Sequence, residues 1–316
     1  MENTGGKSME FNEFTEKIRN ELKPLCEETA ELLVDEVEKN NGCKMVGILC
    51  REKGKSCTPI IYLEAYYEKY CSGECGLQDI VLDIKDIMNN GIEMENMRDR
   101  IFDYGSMKSH IMYRLVNLEM NQNRLEQVPY VKYLDLAVVF YIEMENEQDG
   151  YFSTLIKYEL VEKWRVTEGE LYAVAMENME RQFPGVIERL DDVILRMLHE
   201  SSENSVCGLE EQIIMDTENP LYIVTNGRCL WGASAVLYPD LLKKLSDVVQ
   251  ADLILIPSSI HEMLAWPDRG AMDIKELKEI VKIINQNDVR AEDVLSYNLY
   301  RYKRDSGGVE LLTEVR

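Results

Sequence analysis

The sequence predicts an α+β fold with two domains, in which hairpins form antiparallel or mixed sheets and helices pack against them. Three observations support this prediction. β-prone runs occur in neighbouring pairs, helical runs with clear end signals follow them, and the order hairpin, helix, hairpin, helix occurs twice, near residues 43–183 and 221–285. No residue-level repeat underlies this ββαββα-like order. We expect a helical segment at residues 1–40, an α+β domain at 41–200 and a second α+β domain at 201–316.

The N-terminal part of the chain favours a helix followed by a hairpin. Apolar residues recur at helical spacing, which predicts a helix over residues 9–40 with a kink or break at Pro24. Two β-prone runs, Lys44–Arg51 and Pro59–Tyr67, are separated by a polar linker and predict a hairpin.

The middle of the chain continues with helices and a second pair of strands. Apolar stripes predict helices over residues 77–88 and 93–121. The near-continuous apolar run at 133–142 is typical of a strand covered on both faces, and residues 151–157 are expected to run back beside it.

The helix with the clearest start signal follows this hairpin. Thr167 is placed to cap it and Glu170 to complete a capping box. Apolar spacing predicts a further helix over 186–197. Because residues 200–219 are polar and acidic, the domain boundary is predicted there.

The C-terminal part begins with a hairpin signal. Asn226-Gly227 is the dipeptide preferred by a type I′ turn, in which both central residues have positive φ, so a return strand is expected from Arg228 towards Leu237. The remaining expected elements are a helix starting at Pro239, strands at 252–256 and 260–266, a helix capped by Asp273 and Glu276, and a last strand at 296–302.

Charge and hydropathy limit the class of partner and the compartment. The chain of 316 residues carries a formal net charge of −23, which opposes nonspecific binding to nucleic acid or anionic lipid. No apolar run approaches the about 20 residues of a membrane-spanning helix, and the N-terminus lacks a signal-peptide core. We therefore expect a cytoplasmic protein with an unknown protein or small-molecule partner and neither a nucleic-acid nor a membrane partner. The charge is consistent with a cationic partner and also with simple solubility.

The cysteines predict free thiols and no metal centre. There are eight, and in a cytoplasmic chain of this size free thiols are the default. Cys71 and Cys75 form a C-x3-C pair, but a zinc site needs about four ligands, and no second pair accompanies them. Neither phosphate-binding glycine motif, G-x-x-x-x-G-K-[ST] or G-x-G-x-x-G, is present, so no cofactor is expected.

Several segments resemble a bacterial family of uncharacterised proteins, known only as a domain of unknown function. They are Thr58–Leu63, Asp135–Val139, Leu221–Asn226, Gly232–Tyr238, Leu255–Glu262 and Asp293–Ser296. The C-terminal third is also similar to an uncharacterised group of the YtpQ type. The resemblance supports the fold and a cytoplasmic setting, and it implies no activity.

The strongest candidate site is the segment that follows the strand at 252–256. It brings together the hydroxyls of Ser258 and Ser259, the imidazole of His261 and the carboxylate of Glu262. Strand alternation would place Ser259 and His261 on one face, where they could act as nucleophile and base. No G-x-S-x-G elbow precedes them. The favoured interpretation is a hydroxyl-stabilised turn, with His261 neutral and hydrogen-bonded by the two serines.

Two further candidates are less specific. Asn226, followed by Gly232-Ala-Ser234, offers a small-residue strand that a ligand or a packed helix could approach closely. Tyr62, Glu64 and Tyr66 would share one strand face, as an open groove or as a half-exposed strand, next to further residues of the same cluster, Tyr67, Glu68 and Tyr70.

Two functions stay open on the sequence alone. The absence of a catalytic motif and the acidic composition favour a non-catalytic binding or regulatory protein. The alternative is an enzyme with an unfamiliar site, a hydrolase centred on Ser259 and His261. A pocket with convergent polar groups at His261 would favour the enzyme.

Overall fold

A computed structural model describes residues 9–26, 30–52, 60–90, 97–145, 151–201, 219–270 and 273–312. The fold is α+β, as the sequence predicts. The helices are α1 Phe11–Leu22, α2 Glu64–Ser72, α3 Leu77–Asn90, α4 Met97–Phe102, α5 Tyr104–Met107, α6 Gln122–Leu125, α7 Tyr158–Trp164, α8 Glu168–Gln182, α9 Leu190–Ser201, α10 Leu241–Val249 and α11 Ile274–Asn287. The strands are β1 Ala30–Glu38, β2 Lys44–Glu52, β3 Ile61–Tyr62, β4 Ile111–Asn117, β5 Tyr130–Tyr133, β6 Leu136–Glu145, β7 Tyr151–Leu155, β8 Gly185–Arg189, β9 Tyr222–Asn226, β10 Asp252–Pro257, β11 Met263–Asp268, β12 Tyr300–Lys303 and β13 Gly308–Leu311.

The chain forms two compact units that are not consecutive in sequence. The first unit consists of Met1–Met107 and Met144–Phe152, and the second of Lys108–Glu143 and Ser153–Arg316. The boundary predicted near residue 200 borders residues 202–218, which lie outside the described part. Strands on either side of it, β8 and β9, pair antiparallel in one sheet.

The first unit is built on a three-stranded antiparallel sheet in the order β1-β2-β3. One face of the sheet shares a core with α1 and α3, made of Phe14, Ile18, Leu22, Ile48, Ile61, Leu63, Ile80, Val81 and Ile84. The prediction of helix over 9–40 is wrong beyond the turn at Lys23–Leu25, because residues 30–38 form β1. Pairing with β2 along the whole strand outweighs the helix preference of its glutamates.

The predicted hairpin of this unit is confirmed only in part. β2 forms as predicted, but its partner β3 has two residues, and α2 takes the last four residues of the predicted strand at 59–67. Residues 53–59, the predicted linker and its flank, lie outside the described part. Gly73 ends α2 at a positive φ of 77°, a conformation that costs glycine little.

A four-stranded sheet of β4, β6, β5 and β7 lies largely in the second unit, with β6 antiparallel to β4 and β5 and also paired with β7. All seven residues of β4 are buried. The prediction of a long helix over 93–121 is therefore wrong: α4 and α5 are short, and the chain then enters the sheet. The strands predicted at 133–142 and 151–157 form as β6 and β7, with a turn between β5 and β6 at residues 134–135.

The six-stranded sheet of the second unit has the order β13-β12-β10-β11-β9-β8, and every pair of neighbours is antiparallel. Helix α11 packs on it, with Leu277 and Val281 against Ile254, Ile256, Leu299 and Leu312. The predicted helix over 186–197 begins later, at Leu190, because β8 takes residues 185–189 into the sheet. The predicted strand at 260–266 is shifted to β11 and that at 296–302 to β12, while the predicted helix at α10 is confirmed.

The type I′ hairpin predicted at Asn226-Gly227 does not form. Neither residue has positive φ, and the expected return strand is replaced by a short 3-10 helix at Gly232–Leu237. The left-handed positions are Cys229 and Trp231, with φ of 53° and 55°. Two non-glycine residues in this conformation within three positions mark a loop whose path is determined by its surroundings.

Candidate functional site

The loop between β10 and β11 contains four of the predicted site residues, and its polar groups bond mainly to one another. Ser258 Oγ donates to Glu262 Oε1 at 3.1 Å, and Ser259 Oγ accepts from the backbone N–H of His261 at 3.0 Å. The Ser259 N–H donates to the Glu262 carbonyl at 3.3 Å. These bonds close the turn that the sequence favours, a hydroxyl-stabilised link between two buried strands.

The imidazole of His261 is held on both sides by other segments. Its Nδ1 accepts from the backbone N–H of Trp231 at 3.2 Å, and its Nε2 lies 3.5 Å from Asp293 Oδ1. An acceptor at Nδ1 places the proton of the neutral ring on Nε2, facing Asp293. The partners predicted for this ring, the hydroxyls of Ser258 and Ser259, bond to Glu262 and to a backbone N–H instead.

This geometry gives little support to a Ser/His nucleophile pair. A base must accept the nucleophile's proton on a free ring nitrogen. The ring of His261 has no hydrogen bond with Ser259 among the described residues, since Nδ1 is taken by Trp231 and Nε2 faces Asp293. The arrangement is typical of a histidine that fixes the position of neighbouring segments.

Asn226 and Gly232 stabilise the loop that approaches His261. Asn226 Nδ2 donates to the Leu230 carbonyl at 3.0 Å, and its Oδ1 accepts from the Arg228 N–H at 3.0 Å. At Gly232 a Cβ atom would overlap the Thr225 hydroxyl and the His261 carbonyl oxygen. The small-residue segment therefore serves close approach of backbone to backbone.

Trp231, which bonds to His261, also contacts a buried arginine that the sequence analysis does not predict as a site residue. The guanidinium of Arg114 lies between two rings, 3.8 Å from the centre of Tyr141 and 4.1 Å from that of Trp231. It forms an ion pair with Glu143, with Nε–Oε1 at 3.0 Å, and both side chains are more than nine-tenths buried. A second donor bond goes to Ser153 Oγ at 2.7 Å.

The sequence contains one signal of this cluster, an arginine inside the apolar run 111–116. A charge in a strand covered on both faces requires a buried counter-charge. Its partner, Glu143, lies on β6, and the strand β4 was predicted as helix, so the pair was not foreseen. Contacts run in sequence through the second unit, from Asp293 to His261, Trp231, Arg114 and Glu143.

A second polar cluster surrounds Asp135, at the turn between β5 and β6. Its carboxylate accepts from Ser296 Oγ at 2.6 Å, Asn298 Nδ2 at 2.9 Å and Tyr300 Oη at 2.8 Å. Burial, and then the charge of Asp135, raises the pKa of Tyr300 far above its ordinary value, so this phenol remains a donor. The cluster ties the four-stranded sheet to β12 of the six-stranded sheet.

The tyrosine groove proposed from the sequence is not a strand face. Tyr66, Tyr67 and Tyr70 lie on α2, and Glu64 accepts from the Val46 N–H across to β2. Tyr67 Oη donates to the Met9 carbonyl at 2.7 Å, and its ring packs on the phenylalanines of α1. These tyrosines join α2 to its own unit.

One small cavity and the arrangement of possible metal ligands complete the description of candidate sites. A cavity of about 10 Å³ beside Val116, Leu125 and Val139 has room for about one water molecule. In the same residues no group of three or more His, Cys, Asp and Glu side chains is arranged to hold a metal ion. Cys57 and Cys207 lie outside the described residues, and the other six cysteines form no disulfide bond.

Comparison with known proteins identifies the family. No helix in the described residues is both long enough and apolar enough to cross a membrane. No curated protein and no solved structure gave a significant match. The model of a family of unknown function, DUF5688, matches residues 11–304, which is most of the chain, and the chain therefore belongs to that family.

Proposed function

We propose that the protein is a non-catalytic binding or regulatory protein whose partner is a cationic protein segment. The observation that carries the proposal is that every group of the strongest candidate site already bonds to another group of the fold. Ser258, Ser259, His261 and Glu262 each have a hydrogen-bond or ion-pair partner within the fold. A ligand that used the same hydrogen-bonding atoms would have to break those bonds first.

Charge supports the choice of a cationic partner. The chain carries 58 acidic against 35 basic residues, and a net charge of this sign attracts cations over a range set by the ionic strength. It also opposes nucleic acid and anionic lipid, which leaves a basic protein segment as the macromolecular partner that charge favours.

The setting belongs to the same proposal. A cytoplasmic location is supported by the acidic composition and by the lack of disulfide bonds among the described cysteines. A bacterial source and a C-terminal kinship to the YtpQ-type group are supported by sequence resemblance. The hydrolase alternative would need the His261 ring to release Trp231 and turn towards Ser259. No observed contact favours it.

Substitution of Ser259 and His261 separates binding from catalysis. We expect Ser259→Ala and His261→Ala to bind a labelled peptide of about eight lysines within about twofold of the parent, with affinity falling as NaCl rises from about 0.05 M to about 0.3 M. Fluorescence anisotropy measures the binding. Neither parent nor variants should hydrolyse nitrophenyl esters or phosphates faster than buffer.

His261→Asn is the matched control, because its side-chain oxygen can accept from the Trp231 N–H while the alanine leaves that donor unpaired. We expect the alanine variant to lose about 1–3 kcal/mol of stability and the asparagine variant less. A turnover present in the parent and lost in both Ser259→Ala and His261→Ala would refute the proposal.

A further inference from the structure

Strand β1 is a long edge strand with a regular backbone. It pairs with β2 over all nine residues, from Ala30↔Glu52 to Glu38↔Lys44, with no bulge in the register. In the sheet order β1-β2-β3 its other side has no neighbouring strand among the described residues. Proteins usually protect such edges with bulges, short strands, prolines or charged side chains, and of these β1 has only the charges, which are all negative.

The hydrogen bonds of β2 show which peptide groups of β1 face the free edge. The Val46 carbonyl accepts from the Leu63 N–H, so the peptide groups of Val46 point towards β3 and those of its neighbour Gly47 point towards β1. Gly47 is paired with Asp35, and the peptide N–H and C=O groups of successive residues in a strand point to opposite sides. The odd-numbered residues of β1 therefore bond to β2, and the peptide groups of Leu32, Val34 and Glu36 point outward.

These outward groups are available for pairing. Leu32 and Val34 have no backbone partner on that side among the described residues. The Glu36 N–H donates to the carboxylate of Asp35 at 2.9 Å, a local bond at the exposed end of the strand. The free stretch at Leu32 and Val34 lies in the middle of β1.

All four charged side chains of β1 are acidic. Glu31, Asp35, Glu36 and Glu38 are exposed. Glu36 forms an ion pair with Lys44 at 3.0 Å, and Glu38 lies opposite the same lysine on β2, as Glu31 lies opposite Arg51. An acidic edge repels acidic strands and attracts lysine- or arginine-bearing ones, since opposite charges on adjacent strands stabilise pairing.

We propose that the free edge of β1 binds an extended lysine- or arginine-bearing segment of a partner protein as a fourth strand of this sheet. The inference rests on the proposed function and names the surface that performs it. Backbone hydrogen bonds from Leu32 and Val34 supply affinity without sequence preference, and the carboxylates select basic residues. A second copy of the chain is a poorer occupant, because it would bring the same acidic strand to the edge.

Hydrogen exchange on the intact chain tests the site directly. The probe is the peptide acetyl-Lys-Thr-Lys-Val-Lys-Thr-Lys-amide, with the glutamate-for-lysine peptide as its charge control. At a saturating concentration of the basic peptide we expect the amides of Leu32 and Val34 to exchange at least about tenfold more slowly. The inward amides of Leu33 and Asp35 should change much less, because β2 already protects them.

Val34→Pro and Val34→Ala form a matched pair of variants. Both reduce the contact of this side chain with the core, but only proline removes the outward N–H. The position is at a sheet edge, where proline can be accommodated. We expect Val34→Pro to weaken binding of the basic peptide at least about tenfold relative to Val34→Ala. The exchange measurement on the parent chain remains valid if the proline variant fails to fold.

The outcomes separate the two proposals. Binding of the basic peptide with unchanged exchange at Leu32 and Val34 overturns the edge site and leaves the cationic partner standing. No binding of either basic peptide overturns both. If these amides become protected from exchange as the protein concentration rises, without any peptide, the edge binds a second copy of the chain, and the inference is overturned. Protection by the basic peptide and not by the acidic one supports it.

Discussion

Gly227, in the loop after β9, and Gly232, at the start of the 3-10 helix, have different structural roles. A Cβ atom at Gly232 would overlap the Thr225 hydroxyl and the His261 carbonyl oxygen and lie 2.9 Å from the Asn226 nitrogen. At Gly227 the nearest atom to such a Cβ is the Pro184 carbonyl oxygen, at 3.8 Å. The first position requires glycine because backbone segments meet there, and the second does not.

Alanine substitutions at these glycines should therefore differ. We expect Gly232→Ala to cost about 1–3 kcal/mol, because the added methyl group forces packed backbone apart. Gly227→Ala should change stability by less than about 0.5 kcal/mol. Urea denaturation of the two variants measures the difference, and equal stabilities would contradict the close approach at Gly232.

Residue patterns predicted roles better than they predicted partners. The sequence favoured a turn at Ser258–Glu262 with a structural histidine, and the hydrogen bonds agree with a turn. The ring's actual partners, Trp231 and Asp293, are about thirty residues away on either side, and no local pattern indicates them. Such contacts depend on the packing of the sheet.

At the level of elements, predictions from local sequence signals are confirmed where the hydrogen bonds concerned lie within one short segment. The capping box of α8 is confirmed: Thr167 accepts from the Glu170 N–H at 3.2 Å, and Glu170 from the Thr167 N–H at 2.7 Å. The Asp273 cap of α11 is confirmed in the same way. Both motifs lie within four residues, so tertiary contacts had little to change.

Prediction failed where pairing partners decide the structure. β1, β4 and β8 were each read as helix, and each is paired along its length with a strand at another place in the chain. β4 was also concealed by Arg114, since a charge argues against a buried strand until its partner Glu143 is known. Apolar periodicity over a short window does not distinguish a buried strand from a buried helix.

The α8 capping box should contribute pH-dependent stability. The bond from the Thr167 backbone N–H lowers the pKa of Glu170 below its usual value of 4.5. A carboxylate whose folded pKa is depressed stabilises the fold above its unfolded pKa, and that contribution is lost as the pH falls through the folded pKa. Glu170→Gln should therefore differ most from the parent at neutral pH and converge with it below about pH 4.

Denaturant titrations of both proteins between about pH 3 and pH 7 measure this difference. Thr167→Ala is the companion variant, expected to cost about 1 kcal/mol through loss of the cap. A pH-independent gap between parent and Glu170→Gln would contradict the assignment.

At the scale of the whole molecule, Asp135 couples the two sheets of the second unit. It accepts from Ser296, Asn298 and Tyr300, and Asn117 of β4 adds a bond to the Leu295 carbonyl at 3.0 Å. These contacts connect sheet residues more than 150 positions apart in sequence. The two sheets should therefore lose structure together.

Asp135→Ala should destabilise the second unit by about 3 kcal/mol, because it leaves the buried Tyr300 donor without an acceptor. Native-state hydrogen exchange should show β6 and β12 amides losing protection together, while β2 amides of the first unit are unchanged. Asp135→Asn, which retains one acceptor oxygen, should be intermediate. Loss confined to β12 would show that the sheets are independent.

The division of the chain also has a consequence for the order of synthesis. The polypeptide passes between the two units at residues 107–108, 143–144 and 152–153. Most of the first unit is therefore synthesised early, but it is complete only when the segment Met144–Phe152 has been made. By then β4, β5 and most of β6, which belong to the other unit, have already been synthesised. Neither unit corresponds to a continuous stretch of message, so no single stop codon or proteolytic cut yields one whole unit free of the other.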